Sequence, residues 1–459
     1  MPEKERAQGE SHRLAFRFYV LFAPLLYLLF ALLTPPFQTP DEQQHLYRAY
    51  QLSTLQLFGE RSGTMSGGHL PPGLAVAAAK ELRTVQLHDR KLVHASSWAD
   101  HFTRATPIGQ GEPAVFTNFL GSASYSPAGY VPQVVAVWIG RALDLPVEWI
   151  VRLGRVFNAA LAFALLCAAF RALPVGRPVL LVVGLLPMTA ACAGSFGQDG
   201  LIIGASAWIA ALSLRALLAG SWTNSDGRRL AVLAAAVTLA KFVYLPLAGL
   251  ALFLRDSGGR LRLARASMVA IAVAGVAVTA WVLLNTGLVV PGTPDLPSPG
   301  TQLAYVLAHP SAFPTALANR FSGAGLDELV NTLFLFGWLN VGPVYLAMWA
   351  SALALVLAIA QGDALSARLR PGWRVWAALV SIGIVLAICL IMYLAASPLG
   401  ARMLYGVQGR YLIPLILPLG LAVIPRQRRG DALLVKAAAG LMVFACVIAL
   451  NDICKAFYI

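Results

Sequence analysis

The sequence predicts an all-α polytopic membrane protein, and three observations carry that prediction. Hydrophobic residues make up 58% of the chain and charged residues 12%, with a mean hydropathy of +0.69; a soluble domain carries roughly 25% charged residues. Apolar stretches near the roughly 20 residues needed to cross a bilayer recur along the chain. Short basic clusters punctuate them: Lys4, Arg6, Arg13 and Arg17; Arg171 and Arg177; Arg215, Arg228 and Arg229; Arg255, Arg260, Arg262 and Arg265; Arg368, Arg370 and Arg374; Arg426, Arg428 and Arg429. That is the positive-inside pattern. It accounts for the net charge of +14 without a nucleic-acid partner.

The elements follow in order, as a single integral membrane domain over 1–459. Leu14 to Leu33 is a first spanning helix, too long and too poor in small-residue cleavage signals for a removed signal peptide, with Pro35-Pro36 after it. The basic clusters predict a cytoplasmic N-terminus, so residues 34–149 are expected to form a large extracytoplasmic loop. Within it Pro127 to Arg141 is apolar but short and contains Pro132. Spanning there would place Arg171–Arg177 outside, so it reads as a juxtamembrane helix. Over 150–288, helices 2 to 7 are expected at about 150–170, 178–196 and 200–219, then a tight helix pair within 229–254 with Lys241 at its outer tip, then 266–288. A second outer loop covers 289–340. Helices 8 to 11 follow over 341–450, at 341–359, 375–395, 411–424 and 432–450. The total is about 11 spans.

Five cysteines, Cys167, Cys192, Cys389, Cys446 and Cys454, show no CxxC spacing and none falls in the large loop. Neither a disulfide framework nor a cysteine-ligated metal is expected. There is no GxxxxGK phosphate loop and no soluble catalytic domain.

Acids are few, so their positions carry information. Thr39-Pro40-Asp41-Glu42-Gln43-Gln44-His45 follows the first span. Thr39 and Glu42 match a helix-capping box with Pro40 at the first helical position. That role would use Glu42 and leave Asp41 free, four residues from His45 and on the same helix face. Asp41 and Glu42 are therefore the candidate catalytic carboxylates, able to take a proton from an attacking hydroxyl. Asp41, Glu42 and His45 would also be the ligands of a divalent cation (Mg or Mn), if one is used. His69, His88, His94 and His101 lack metal-ligand spacing and read as solvated or structural. The loop's Trp98, Phe102, Phe116, Tyr125 and Tyr130 suggest a folded cap on the membrane surface.

Three polar features lie at expected outer helix ends: Gly197-Gln198-Asp199, Lys241, and Gly406-Val407-Gln408-Gly409-Arg410-Tyr411. Ionisable groups near a membrane core are functional candidates. Snorkelling of Lys241 and simple interfacial anchoring by Arg410 are the plain alternatives. Lys and Arg facing acids on one side of the membrane suit a lipid-borne phosphate leaving group beside a hydroxyl nucleophile.

The run from Pro35 through Tyr50, with Thr39-Pro40-Asp41-Glu42 inside it, resembles the opening of a bacterial membrane-protein family known as domain of unknown function 2142. Gly406 to Tyr411 followed by Pro414 looks like the same family's C-terminal signature. Ser195 to Asp199, Lys241 with Tyr244 and Pro246, and His309-Pro310 also fit. More distantly, the layout is similar to the GT-C glycosyltransferases. That resemblance puts Asp41 at the loop acid, Asp199 at the second acid and Lys241 at the lysine on the short helix pair. Tyr125-Ser126-Pro127 stands where those enzymes carry His-Pro-Pro or Lys-Pro-Pro.

The resemblance implies a bacterial inner-membrane glycosyltransferase. It would move a sugar from a polyprenyl-phosphate donor to a cell-envelope glycan or lipid. Asp41 would be the general base or orient a metal. Lys241, Arg410, Gln408 and Tyr411 would bind the donor phosphate, with His45, Arg48, Asp199 and Tyr125 in support. A flippase of lipid-linked glycans and a non-catalytic envelope-assembly component are the competing readings.

Overall fold

The computed structural model describes residues 3–85, 102–255, 259–288, 296–425 and 431–458. His88, His94, Trp98 and His101 of the large loop, and Arg426, Arg428 and Arg429, lie outside the described residues.

Six helices among the described residues are long and apolar enough to cross a bilayer. They are α1 (Glu3–Leu33), through its Gly9–Leu33 portion, α5 (Val147–Ala172), α8 (Asp199–Ala219), α10 (Arg265–Leu284), α15 (Pro371–Ala396) and α17 (Ala432–Tyr458). The protein is an all-α polytopic membrane protein with little sheet. α8 is the most enclosed of the six, and it crosses α5 closely at Gly204. A Cβ there would stand 2.7 Å from Leu165 Cβ and 3.3 Å from the Ala162 carbonyl oxygen, so a small residue sets the interhelical distance. α10 and α15 show exposed faces of Val269, Val273 and Val276 and of Leu379, Ile382 and Leu386; such faces suit lipid.

The other expected spans are shorter or broken. The 178–196 segment is split into α6 (Arg177–Leu185) and α7 (Pro187–Ala193). Pro187 has no N–H for the ladder, and Tyr27 Oη donates to the Gly184 carbonyl at 2.7 Å beside the break. The expected helix pair within 229–254 is one α-helix, α9 (Asn224–Ala240), followed by a 3₁₀ segment, Phe242–Gly249. Pro246 lies inside that segment. Trp376 and Trp373 Nε1 donate to the Gly249 and Leu250 carbonyls at 2.8 and 2.9 Å, satisfying backbone groups that an α-helix would pair internally. A small hairpin, β4 (Phe253–Arg255) with β5 (Leu261–Leu263), leads into α10. α14 (Tyr345–Ala360) and α16 (Ile413–Val423) are also shorter than a full span. The length criterion thus supports six of the eleven expected crossings.

The large loop has its own core. It contains α2 (Glu42–Ser53), α3 (Pro72–Val85), α4 (Val131–Ala142) and an antiparallel sheet of β1 (Glu60–Ser62), β2 (Met65–Leu70) and β3 (Val115–Asn118), in the order β1-β2-β3, with α2 packed against both β2 and α4. Gly67 pairs with Asn118 and His69 with Phe116. The core gathers Phe37, Tyr47, Phe119, Tyr130, Val137 and Ile150. α4 falls at the juxtamembrane helix expected over 127–141, and a 3₁₀ turn, Pro127–Gly129, leads into it.

Candidate functional site

The turn from α1 into α2 is strained. Phe37 and Asp41 both take positive φ, 62° and 61°. This costs a non-glycine residue free energy, least for Asp and Asn. Glu42 holds the turn. Arg155 of α5 donates to it bidentately, Nε to Oε1 at 2.7 Å and Nη2 to Oε2 at 2.6 Å. The backbone N–H groups of Phe37 and Phe196 donate to the same carboxylate at 2.7 and 3.1 Å. The remaining Arg155 N–H groups reach the carbonyls of Ala31, Thr34 and Pro35. Both side chains are fully buried.

Two sequence expectations are corrected here. The helix starts at Glu42 with Asp41 as its N-cap residue, so Thr39 and Glu42 form no capping box. Glu42 is not a catalytic carboxylate either, because both its oxygens are occupied and no solvent reaches it. The expected metal set of Asp41, Glu42 and His45 fails for the same reason. Arg155 and two backbone N–H groups hold Glu42, which removes it from the set; His45 Nδ1 is hydrogen-bonded to Tyr130 Oη at 2.7 Å. Among the described residues no three His, Cys, Asp or Glu side chains group as metal ligands.

Asp41 is different. It is exposed and makes no side-chain cap bond. Its charge acts on His45 and on Tyr125, as do those of Asp199 and Lys241. A small cavity of about 40 Å³ bordered by Thr39, Pro40, Ser195 and Arg410 joins the start of this turn to the C-terminal motif.

Asp199, the first residue of α8, forms the centre of a charge cluster. Lys241 Nζ donates to its Oδ1 at 2.6 Å. Arg410 Nε lies 3.6 Å from its Oδ2, too far for a hydrogen bond. That Nε is buried and unpartnered among the described residues. Lys241 stands 4.4 Å above the Tyr411 ring and the Arg410 guanidinium 5.5 Å from it, within cation–π range. Tyr244 Oη fixes this arrangement by donating to the Tyr411 carbonyl at 2.8 Å. Gly409 makes the close approach possible: a Cβ there would sit 2.5 Å from Leu333 Cγ and 2.9 Å from the Leu333 backbone nitrogen. Its N–H donates to Thr332 Oγ1 at 2.6 Å.

Lys241, Tyr125, Tyr244, Trp281, Met392 and Tyr411 border a mostly apolar cavity of about 350 Å³. It lies between α9, the 3₁₀ segment, α10 and α15, the last two being helices with exposed apolar faces. Arg48 positions its rim. Arg48 Nε and Nη2 donate to the Tyr125 carbonyl at 3.0 and 2.8 Å, and Nη2 also reaches the Leu57 carbonyl at 2.8 Å. Trp281 Nε1 donates to the Ser124 carbonyl at 2.8 Å.

His45 sits between the loop and this cluster, its ring 6.0 Å from that of Tyr125. Burial pulls its pKa from 6.5 down to about 4. The Asp41 and Asp199 carboxylates oppose this, while Lys241 and Arg410 add to it. The imidazole is therefore neutral at pH 7. Burial likewise raises the Tyr125 and Tyr130 phenols, so both stay protonated.

The geometry thus brings together Asp41, His45, Tyr125, Asp199, Lys241, Arg410 and Tyr411. Arg48 acts one step back, through the Tyr125 backbone. The Gln408 carbonyl accepts the Tyr411 N–H at 3.1 Å, which ties it to the cluster through the backbone, while its amide oxygen is buried without a partner among the described residues. Arg155 and Trp281 were not singled out in the sequence, and Tyr130 and Tyr244 were named there only as a loop aromatic and as part of the family resemblance. Arg155 had a signal, being an ionisable residue inside an apolar span.

Fold and site define a polytopic membrane protein with an ionic cluster at one end of its helices, beside a folded loop. Residues 24–419 match the family described as "Predicted membrane protein (DUF2142)", and the chain belongs to that family. No curated protein and no solved structure matches it.

Proposed function

We propose that this protein is a membrane glycosyltransferase of GT-C type, using a polyprenyl-phosphate-linked sugar on the extracytoplasmic face of a bacterial inner membrane, with the N-terminus cytoplasmic. One observation carries the reading: Lys241 and Arg410 share one carboxylate, Asp199, and Lys241 also lines an apolar cavity between helices with exposed apolar faces. Two cations against one acid leave a positive balance suited to a phosphate, and the cavity suits the first isoprene units of its chain. Across the site Asp41 offers an exposed carboxylate that makes no side-chain cap bond.

In the reaction, an acceptor hydroxyl of a cell-envelope glycan or lipid attacks the sugar's anomeric carbon. The new glycosidic C–O bond forms as the bond to the phosphate oxygen breaks. The hydroxyl proton passes to Asp41. The polyprenyl phosphate leaves with its charge held by Lys241 and Arg410. Arg410 can grip phosphate oxygens bidentately, whereas Lys241 acts as a point charge.

The break at Pro187 and the 3₁₀ segment after Lys241 favour a second reading, a flippase of lipid-linked glycans, because broken helices also build transport sites. Incubating the purified, bilayer-reconstituted protein with a panel of polyprenyl-phospho-sugars separates the two. Sugar appearing on an acceptor supports the transferase. Movement of intact donor between leaflets supports the flippase, and neither outcome leaves a non-catalytic assembly component.

A further inference from the structure

A second cavity, of about 980 Å³, lies at the far end of the bundle. α8 runs from Asp199 to it, and its last residues, Leu217 to Ala219, line it. A helix of that length covers about 30 Å, so the cavity lies at the membrane face opposite the Asp199 cluster. Three separate stretches of chain build it: the end of α8, the β4–β5 hairpin, and the segment entering α15. They bring together Arg255, Arg262, Arg368 and Arg370.

Among the described residues no carboxylate pairs with these arginines. No carboxylate lines the cavity among the described residues. Arg262 Nη2 donates to the Gly220 carbonyl at 3.2 Å, Arg368 Nη2 to the Leu218 carbonyl at 3.2 Å, and Arg255 Nη1 to the Gly259 carbonyl. Carbonyl bonds orient a guanidinium without cancelling its charge. The contrast with neighbouring arginines is direct. Arg215 and Arg229 share the Asp226 carboxylate at 2.6 and 3.0 Å. Topology signalling alone would need no walled pocket, since positive charge on a loop suffices for it.

The remaining wall is amphipathic. Trp373 and Trp376 have their indole N–H groups tied to the Leu250 and Gly249 carbonyls, which fixes the rings. Phe253 packs edge-on against Trp376 at 5.1 Å. Tryptophan rings at helix ends mark the headgroup level of a bilayer, and α15 continues from them with an exposed apolar face. A phosphate among the arginines could therefore continue into acyl chains lying along α15.

We propose that this cavity binds the phosphate headgroup of an anionic phospholipid, drawn from the leaflet opposite the Asp199 cluster. Basic pockets between membrane helices recognise such headgroups through charge and bidentate guanidinium contacts. The site is independent of the activity proposed above.

Native mass spectrometry of the full chain, equilibrated with equimolar phosphatidylglycerol and phosphatidylcholine, tests the proposal. The parent protein should retain phosphatidylglycerol in preference to phosphatidylcholine by at least about fivefold, an electrostatic selectivity. The Arg262→Gln/Arg368→Gln/Arg370→Gln variant should lose that preference. A variant with matched charge loss elsewhere, Arg171→Gln/Arg228→Gln/Arg229→Gln, should keep it. Millimolar inorganic phosphate should not displace the lipid. Three results would overturn the proposal: a parent without preference, equal loss in both triple variants, or displacement by inorganic phosphate, which would assign the pocket to a soluble anion. The parent measurement decides even if a variant does not fold.

Discussion

At the residue scale, adjacent Asp41 and Glu42 have opposite environments. Glu42 is enclosed with Arg155, so removing its charge leaves a buried guanidinium uncompensated, at a cost of about 3–5 kcal/mol. Glu42→Gln should therefore lower thermal stability sharply, read as a fall in melting temperature, whereas Asp41→Asn should melt close to the parent. Equal melting of Glu42→Gln and parent would show that the pair is not structural. The sequence placed both acids at the start of a helix, and that much was legible. Which acid was occupied depended on Arg155, more than a hundred residues away, and on backbone donors from Phe37 and Phe196; no local pattern shows those. His45 gives a pH signature. Its pKa is depressed from 6.5 to about 4 in the folded chain, so the unfolded chain binds the proton more readily between those values. Its contribution to stability is complete above about pH 6.5 and is lost as the pH falls towards 4. Melting temperature should decline over that window, and His45→Gln should flatten the decline; an unchanged slope would contradict this environment.

At the element scale, the long apolar helices were legible because the length and hydropathy of a membrane span are local properties. The interruptions were less so. Pro187 breaks one expected span and Pro246 sits in a 3₁₀ segment where a second helix was expected; in both places side chains from elsewhere, Tyr27 or Trp373 and Trp376, take up the backbone groups. The three-stranded sheet went unseen because its strands are short and its inner residues include Gly67 and Gly68 rather than an alternating apolar run. Gly409 belongs at this scale because it sets how closely the Arg410 turn approaches the Asn331–Leu333 segment. Gly409→Ala should force that turn outward, at an overpacking cost of about 1–3 kcal/mol. Donor binding should weaken while the protein still inserts in the membrane. Unchanged donor affinity would mean that Arg410 is not held by this contact.

At the scale of the whole molecule, Asp41, Asp199, Lys241 and Arg410 come from four distant parts of the chain and meet at one end of the helices. Residue type and expected membrane side were enough to nominate them, since charges are rare in an apolar chain. Their pairing, with Asp199 between two cations and Asp41 apart, required the packed bundle. The proposed chemistry divides the labour: Asp41 handles the proton and the Lys241–Arg410 pair holds the donor phosphate. It is tested most directly by measuring polyprenyl-phospho-sugar binding and sugar transfer side by side in the reconstituted parent, Asp41→Asn and Lys241→Ala proteins. Asp41→Asn should bind donor normally yet transfer roughly 100-fold more slowly or worse, the scale of a lost general base, and Lys241→Ala should lose donor binding itself. Full transfer by Asp41→Asn, or undiminished donor binding by Lys241→Ala, would contradict it.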